Sequence, residues 1–298
     1  MHLRAAIARS PFTPIVMACL IIVYIVWGST YLAIALALEG MPPLLMTGSR
    51  FVVAGLFMVG VLAIRGVGLP TFKELLSCMI VGCSMLGLGV GGIAIAEQTI
   101  SSGMASVGIA TVPIWAVLLS VLFLREWPNS WEVWGILLGF AGVVVLNLEG
   151  GGIGNAGIGA VIIVAAALFW GLGSVLSKVL PVPEGMTGYA YEMLTGGIAI
   201  TLIALMLGER MNTLPGPGAL IALLYLVIGG SILAYSAYMY LLQNVRMSVA
   251  TSYTLVTPIV AVGLGMYFLN ENVGIYTALS LFFVLIGVAC ILRGREAK

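Results

Sequence analysis

The stretch from Glu97 to Glu126, EQTISSGMASVGIATVPIWAVLLSVLFLRE, recurs as LQNVRMSVATSYTLVTPIVAVGLGMYFLNE from Leu242 to Glu271. A shift of 145 residues lays one on the other without a gap, and 10 of the 30 aligned pairs are identical. The matches include Gln98 with Gln243, Pro113 with Pro258 and Glu126 with Glu271, residue types that an apolar composition does not supply by chance. The chain therefore reads as two related halves, residues 1–149 and 150–298.

With 61% hydrophobic residues, 8% charged residues and a mean hydropathy of +1.18, most of the chain cannot be a water-exposed surface, because a soluble domain carries about 25% charge. This is the composition of an integral membrane protein. The net charge of +1 comes from basic residues scattered singly between apolar runs, so nucleic acid is not an expected partner. The partners expected are a small-molecule substrate and the lipid bilayer, with the chain working as a monomer or weak dimer. Cys19, Cys78, Cys83 and Cys290 all fall in apolar runs, without a CxxC pair and with His2 as the one histidine. They read as packing residues, and no metal or other cofactor is expected. The first apolar segment exceeds the roughly 7–15 residues of a signal-peptide core and is expected to remain as helix one.

Crossing a hydrocarbon layer of roughly 30 Å takes about 20 helical residues. Such segments run from Pro14 to Leu38, Pro43 to Ile64, Glu74 to Ala96, Gly103 to Leu124 and Trp131 to Leu148. After a glycine-rich link, Gly150 to Gly154, they run from Ala156 to Leu180, Thr187 to Leu207, Gly218 to Leu242, Met247 to Leu269 and Gly274 to Leu292. Cytoplasmic loops are enriched in Lys and Arg. With the N-terminus inside, the inner segments hold Arg4, Arg9, Arg65, Lys73, Arg125, Lys178, Arg246, Arg293, Arg295 and Lys298, ten of the twelve basic residues; Arg210 alone falls in an outer loop and Arg50 within a helix. The expected fold is thus all-α: ten transmembrane helices, both termini cytoplasmic. Five spans per half make the second repeat enter from the opposite side, so the two five-helix repeats are inverted, which is a signature of transporters.

Several elements together resemble the EamA-type exporters of the drug/metabolite transporter superfamily, and its bacterial inner-membrane branch in particular. They are Trp27-Gly28-Ser29-Thr30-Tyr31 with its echo Trp170-Gly171, Thr111-Val112-Pro113-Ile114 with Thr257-Pro258-Ile259, and the Leu-Arg-Glu and Leu-Asn-Glu that close helices four and nine. The resemblance implies helices one to four and six to nine around a central cavity, with five and ten to one side. It also implies export of small metabolites such as amino acids, nucleobases or drug-like compounds. Helix six carries Gly171-Leu172-Gly173 where helix one has Gly28-Ser29-Thr30, which leaves Ser174 as its candidate hydroxyl.

Ionisable groups inside a membrane segment mark function or a buried pair. Arg50 lies seven residues after Pro43, roughly 10 Å along the helix at 1.5 Å per residue. Glu192 lies seven after Gly185, at a similar depth in the inverted half. Arg50's planar fork suits a substrate carboxylate. A carboxyl withdrawn from water can take up and release a proton near neutral pH, so Glu192 and Glu97, which closes helix three, are the candidate proton-coupling residues. A structural ion pair, or snorkelling to the headgroups, is the alternative for Arg50 and Glu192, and a loop carboxylate with no task is the alternative for Glu97. Glu126 and Glu271 read as solvated helix ends. Aromatic and hydroxyl residues repeat at helical spacing: Trp27 with Tyr31, Thr111 with Trp115, Trp170 with Ser174, Ser231 with Tyr235 and Tyr238, Tyr253 with Thr257. Lipid offers no partner for a hydroxyl, so these stripes are expected to face a cavity, with core packing as the alternative for each. Pro113 and Pro258 are expected to bend helices four and nine as hinges. Gly87, Gly89 and Gly92 match GxGxxG but lie in an apolar span without a preceding strand, so close helix packing, with Gly91, Gly135 and Gly139, is the better reading.

The expected function is secondary active export by alternating access, with proton coupling as an option. A passive facilitator of the same fold is the alternative. No Walker A sequence is present, and no nucleophile and base stand together for an intramembrane enzyme. The topology is open to direct test: in a cysteine-free background, an impermeant thiol reagent applied from outside should label Gly151→Cys and spare Pro183→Cys. The reverse pattern would overturn the orientation, and labelling of both would overturn the helix count.

Overall fold

Proline and threonine set where helices begin in the computed structural model, which describes residues 13–100, 105, 108–149, 157–211, 214–269 and 275–293. Pro14 opens α1 (Pro14–Leu38), where the Thr13 hydroxyl accepts from the Val16 N–H at 3.3 Å. Pro43 opens α2 (Pro43–Ile64). In the first turn a proline removes no helical hydrogen bond, and its fixed φ suits the helix. Thr71 and Glu74 form a reciprocal capping box on α3 (Phe72–Ala96), satisfying two N–H groups that the first turn leaves orphaned. There follow α4 (Val112–Leu124), α5 (Ser130–Glu149), α6 (Gly157–Val179), α7 (Met186–Met206) and α8 (Pro217–Asn244). The last two are α9, in two pieces Met247–Thr251 and Tyr253–Leu269, and α10 (Ile275–Arg293).

Among the described residues six helices, α1 to α3 and α6 to α8, are long and apolar enough to cross a membrane, and shorter apolar helices stand at Val112–Leu124, Ser130–Val145, Met247–Val260 and Ala278–Arg293. Ten crossings require each of these shorter helices to cross as well. The link Gly150–Gly154, the expected start of helix four at Gly103, Glu271 and the basic residues Arg4, Arg9, Arg295 and Lys298 lie outside the described residues.

Pro113 does not kink a helix. The chain turns at Ala110 and Thr111, and Pro113 falls in the first turn of α4, where its missing N–H has no partner to lose. Pro258, by contrast, lies inside the second piece of α9. Two wide π-helical turns were not expected at all: Cys83–Gly91 within α3 and Leu226–Tyr235 within α8. They occupy corresponding places in the two halves, and such turns recur at functional sites.

Packing obeys an exchange of the halves. The pair α1·α8 has its counterpart in α6·α3, α1·α9 in α6·α4 and α2·α8 in α7·α3, while α2·α7 and α5·α10 map onto themselves. The helix interiors meet at small residues. A Cβ on Gly196 of α7 would lie 2.8 Å from Gly82 Cα of α3, and one on Gly287 of α10 would lie 2.6 Å from Gly139 N of α5. Only hydrogen fits there, because the neighbour is backbone and cannot swing aside. Within the formal GxGxxG, Gly89 abuts the Trp170 ring and Gly92 abuts Ala166, so those glycines serve helix packing. Large apolar side chains such as Ile21, Ile25, Leu56 and Phe57 face outward, as a lipid-facing surface requires.

Gly287→Val should separate α5 from α10 and lower the melting temperature, with overpacking costing on the order of 1–3 kcal/mol. Gly60→Ala, where nothing lies within 4 Å of the added Cβ, should leave the melting temperature level or raise it. Thermal unfolding in detergent checks both, and equal effects would mean that the α5–α10 crossing is not tight.

Candidate functional site

Four helices each present one aromatic ring to the centre of the bundle: Trp27 from α1, Trp170 from α6, Tyr238 from α8 and Tyr253 from α9. Ring centroids lie 5.2 Å apart for Trp27 and Trp170, 5.2 Å for Trp27 and Tyr238, and 4.7 Å for Trp27 and Tyr253. Trp170 and Tyr238 stand 5.6 Å apart, and Tyr238 and Tyr253 5.5 Å. The rings meet edge-on or tilted, the arrangement their quadrupoles favour, worth about 0.5–1.5 kcal/mol a pair beyond burial. Polar atoms fix the cluster. Trp27 Nε1 donates to the Gly230 carbonyl in the wide turn of α8 at 3.1 Å, and Tyr238 Oη shares a 2.8 Å hydrogen bond with Ser174 Oγ, which also donates to the Trp170 carbonyl at 2.7 Å.

This cluster is the floor of a cavity of about 50 Å³. Trp27, Trp170 and Tyr253 form its base. Tyr31 and Ile34 of α1, Arg50 and Phe51 of α2, Val90 and Ile93 of α3, Ile109, and Gly230 and Tyr235 of α8 are among its walls. Tyr31 and Ile34 follow Trp27 toward the end of α1, Arg50 lies near the start of α2, and Ile93 lies near the end of α3. The cavity therefore extends from the floor toward the end of the bundle where α1 passes into α2. Both halves line it. On the other side of the floor Tyr24 Oη ties the halves together through a 2.7 Å hydrogen bond with Ser252 Oγ, and within the second half Tyr189 Oη of α7 donates to Gln243 Oε1 of α8 at 3.1 Å.

Arg50 is 3% exposed, and its Nε and Nη1 have no hydrogen-bond acceptor. Its guanidinium carbon sits 4.4 Å from the centroid of the Phe51 ring, a contact that supports the cation from one side only. Glu192 is fully buried behind the cavity wall. Tyr235, which lines the cavity, donates to Glu192 Oε2 at 2.7 Å, while Oε1 has no partner. Among the described residues Arg50 and Glu192 form no ion pair, so neither charge neutralises the other directly.

Of the residues singled out from sequence, Trp27, Tyr31, Arg50, Trp170, Tyr235 and Tyr253 meet at the cavity. Ser174 and Tyr238 stand directly behind its floor, and Ser231 is buried with its hydroxyl unpartnered. Thr111 and Trp115 are not brought to it. The Thr111 hydroxyl donates to the Gly108 carbonyl at 2.7 Å, and Trp115 packs against Gly171 of α6. Glu97 follows α3 with both carboxylate oxygens buried and without a hydrogen-bond partner, outside the cavity lining. Among the described residues no group of three or more His, Cys, Asp or Glu side chains could hold a metal ion.

Two carboxylates escaped the sequence reading. Glu209, beyond α7, accepts from the Leu44 and Leu45 N–H groups at 3.2 and 2.8 Å and so caps α2 from the other half, where the helix dipole favours an anion. Glu132, in the first turn of α5, is 1% exposed and bonded to Arg246. Asn129-x-x-Glu132 was visible as a capping box, but a box shows only the helix it caps, and the partner comes from far along the chain.

The EamA-like transporter family matches this chain twice, at residues 14–148 and 157–293. The inner membrane transporter YedA of Escherichia coli (strain K12), itself described as uncharacterized, is 36% identical over 274 residues, which cover 91% of this chain and 89% of YedA. An uncharacterized transporter of Archaeoglobus fulgidus is 30% identical over 273 residues, 90% of this chain and 95% of the relative. A protein of known crystal structure superposes with a TM-score of 0.78 at 21% identity, over 95% of this chain and 98% of that one, a likeness of fold alone.

The bond between Ser174 and Tyr238 makes the floor open to a double-mutant cycle. Ser174→Ala and Tyr238→Phe should each lower thermal stability, and the double variant should lose less than the sum, with a coupling of about 0.5–1.5 kcal/mol. Strict additivity would mean that the bond does not hold the floor.

Proposed function

Because this chain belongs to the EamA-like transporter family, we propose that it is a multi-pass secondary exporter of small organic metabolites across the inner membrane, working by alternating access with both termini in the cytoplasm. One observation carries the substrate side of this reading. A guanidinium is buried at the wall of a cavity with two of its nitrogens unpartnered, a state that is costly unless something supplies acceptors. A ligand carboxylate, held by the planar fork, is the complementary group. The aromatic floor accepts the ligand's apolar or aromatic body, as ligand pockets commonly do around a few fixed polar groups.

Tyr235 joins this cavity to Glu192. Its hydroxyl donates to Glu192 Oε2, and a proton taken up on that oxygen makes the carboxyl the donor and releases the tyrosine hydrogen for another acceptor. The protonation state of a group that no ligand touches is thereby expressed at the cavity wall, which supports proton coupling. The exchange symmetry of the packing supports alternating access, since each half has the partners to take the other's place. This reading is of a transporter, and no enzymatic role is assigned to the chain.

Transport in inverted vesicles or proteoliposomes tests the scheme. Arg50→Lys keeps the charge but loses the fork, and should weaken carboxylate substrates roughly ten- to a hundredfold relative to neutral analogues, the size of a charge-assisted hydrogen bond of about 1.5–3 kcal/mol. Glu192→Gln should bind substrate yet lose the dependence of transport on the proton gradient, and Tyr235→Phe should do the same with Glu192 intact. Collapse of the gradient in the unaltered protein should abolish accumulation. Accumulation that never occurs, with equilibration intact, would instead favour the passive facilitator.

A further inference from the structure

At the end of the bundle away from the cavity, the corner before α5 meets the corner before α9. Glu132 lies at the start of α5. Its Oε2 accepts from the Asn129 N–H at 2.9 Å, and its Oε1 accepts from Ser248 Oγ at 2.6 Å and from Arg246 Nε at 2.8 Å. Arg246 also donates through Nη2 to the Trp127 carbonyl at 2.8 Å. The carboxylate is 1% exposed and the arginine side chain 24%. A buried carboxylate is thus satisfied half by its own corner and half by residues more than a hundred positions along the chain.

The location matters because of how the bundle divides. In the packing, α3, α4 and α6 form one group and α1, α8 and α9 the other, with α2·α7 and α5·α10 spanning them. The Glu132 cluster ties the corner that follows α4 to the corner that joins α8 to α9. Opening the bundle at this end would withdraw Arg246 and Ser248 from Glu132 and leave an anion without two of its three donors, an expensive loss for a buried charge.

The repeat breaks here. A shift of 145 residues pairs Glu132 with Thr277, Arg246 with Ser101 and Ser248 with Gly103, none of which can make a charged pair. In a structure of two exchangeable halves, an interaction present at both ends favours neither conformer. One present at a single end biases the equilibrium toward closure at that end.

We propose that Glu132, Arg246 and Ser248 form a one-sided latch that holds the cytoplasmic end closed and sets the ligand-free protein in the outward-facing state. The latch rests on the alternating-access reading but not on any choice of substrate or coupling ion. Opening toward the cytoplasm must first break it.

Spin-label distances in the ligand-free, full-length protein in lipid test this, with one label pair at Glu126 and Asn244 across the latched end and another at Glu39 and Gln98 across the cavity end. The unlatched variants Glu132→Gln and Arg246→Gln should lower the closed-to-open ratio at the first pair by roughly tenfold or more, the worth of a charge-assisted hydrogen bond, and shorten the second pair in step. Ser248→Ala, which leaves both charges in place, should give a smaller shift in the same direction and serves if the charge variants fail to fold. Lower melting temperatures with unchanged distances at both ends would overturn the latch and leave a static brace. Opening at the first pair without closure at the second would overturn alternating access instead. Since no substrate is added, failure to identify a transported compound would leave both outcomes readable.

Discussion

Hydrocarbon offers no hydrogen-bond partner, and that constraint shapes how the polar side chains within the helices are arranged. Serine and threonine hydroxyls bond back to carbonyls three or four residues earlier, as at Thr30, Thr47, Ser120 and Thr251, which satisfies them without a second helix. Others reach across: Ser174 to Tyr238 and Tyr24 to Ser252 join one helix to another at the floor or just beyond it, and Ser84 donates from α3 to the Phe169 carbonyl of α6. Against this background the unpartnered nitrogens of Arg50, which unlike the unpartnered oxygens of Glu97 lie at the cavity wall, stand out as an interaction held open.

The same constraint explains why the site sits where α3 and α8 widen. Each helix carries a π-helical stretch at the level of the cavity, and the α8 stretch contributes both Gly230, whose carbonyl receives Trp27 Nε1, and Tyr235, which reaches Glu192. A regular α-helix would keep its carbonyls engaged in its own ladder, whereas a widened turn frees backbone acceptors and reorients side chains. The two stretches, at matched positions in the halves, both line the cavity, so its walls follow from a single local departure made twice.

Symmetry shapes the molecule and its absence directs it. The glycine crossings and the exchange of packing pairs make the halves nearly interchangeable, while Arg50, Glu192 and the Glu132 cluster each occur once. A carrier built from two equal halves has no preferred direction in its scaffold, so single charged residues are where such a preference can be written.

The repeat, the membrane class, the helical segments and six of the cavity residues were legible in the sequence because they depend on periodicity and composition. Apolar runs of about 20 residues span a bilayer whatever surrounds them, and Trp27 with Tyr31 or Tyr235 with Tyr238 share a face by helical geometry alone. Sequence spacing also placed Thr111 and Trp115 on a common face, but which face looks inward depends on the neighbours, and there α6 covers it. The break before Pro113, the hydrogen bond from Tyr235 to Glu192 and the pairing of Glu132 with Arg246 were not legible. Each depends on atoms brought together from distant positions, and distance along the chain carries no information about which carboxylate a given hydroxyl or guanidinium will meet. The sequence by itself determined what must be buried in the bilayer; the tertiary structure decided which buried charges find partners, as Glu132 does, and which are left with unpartnered atoms, as Arg50 is at the cavity wall and Glu97 outside it.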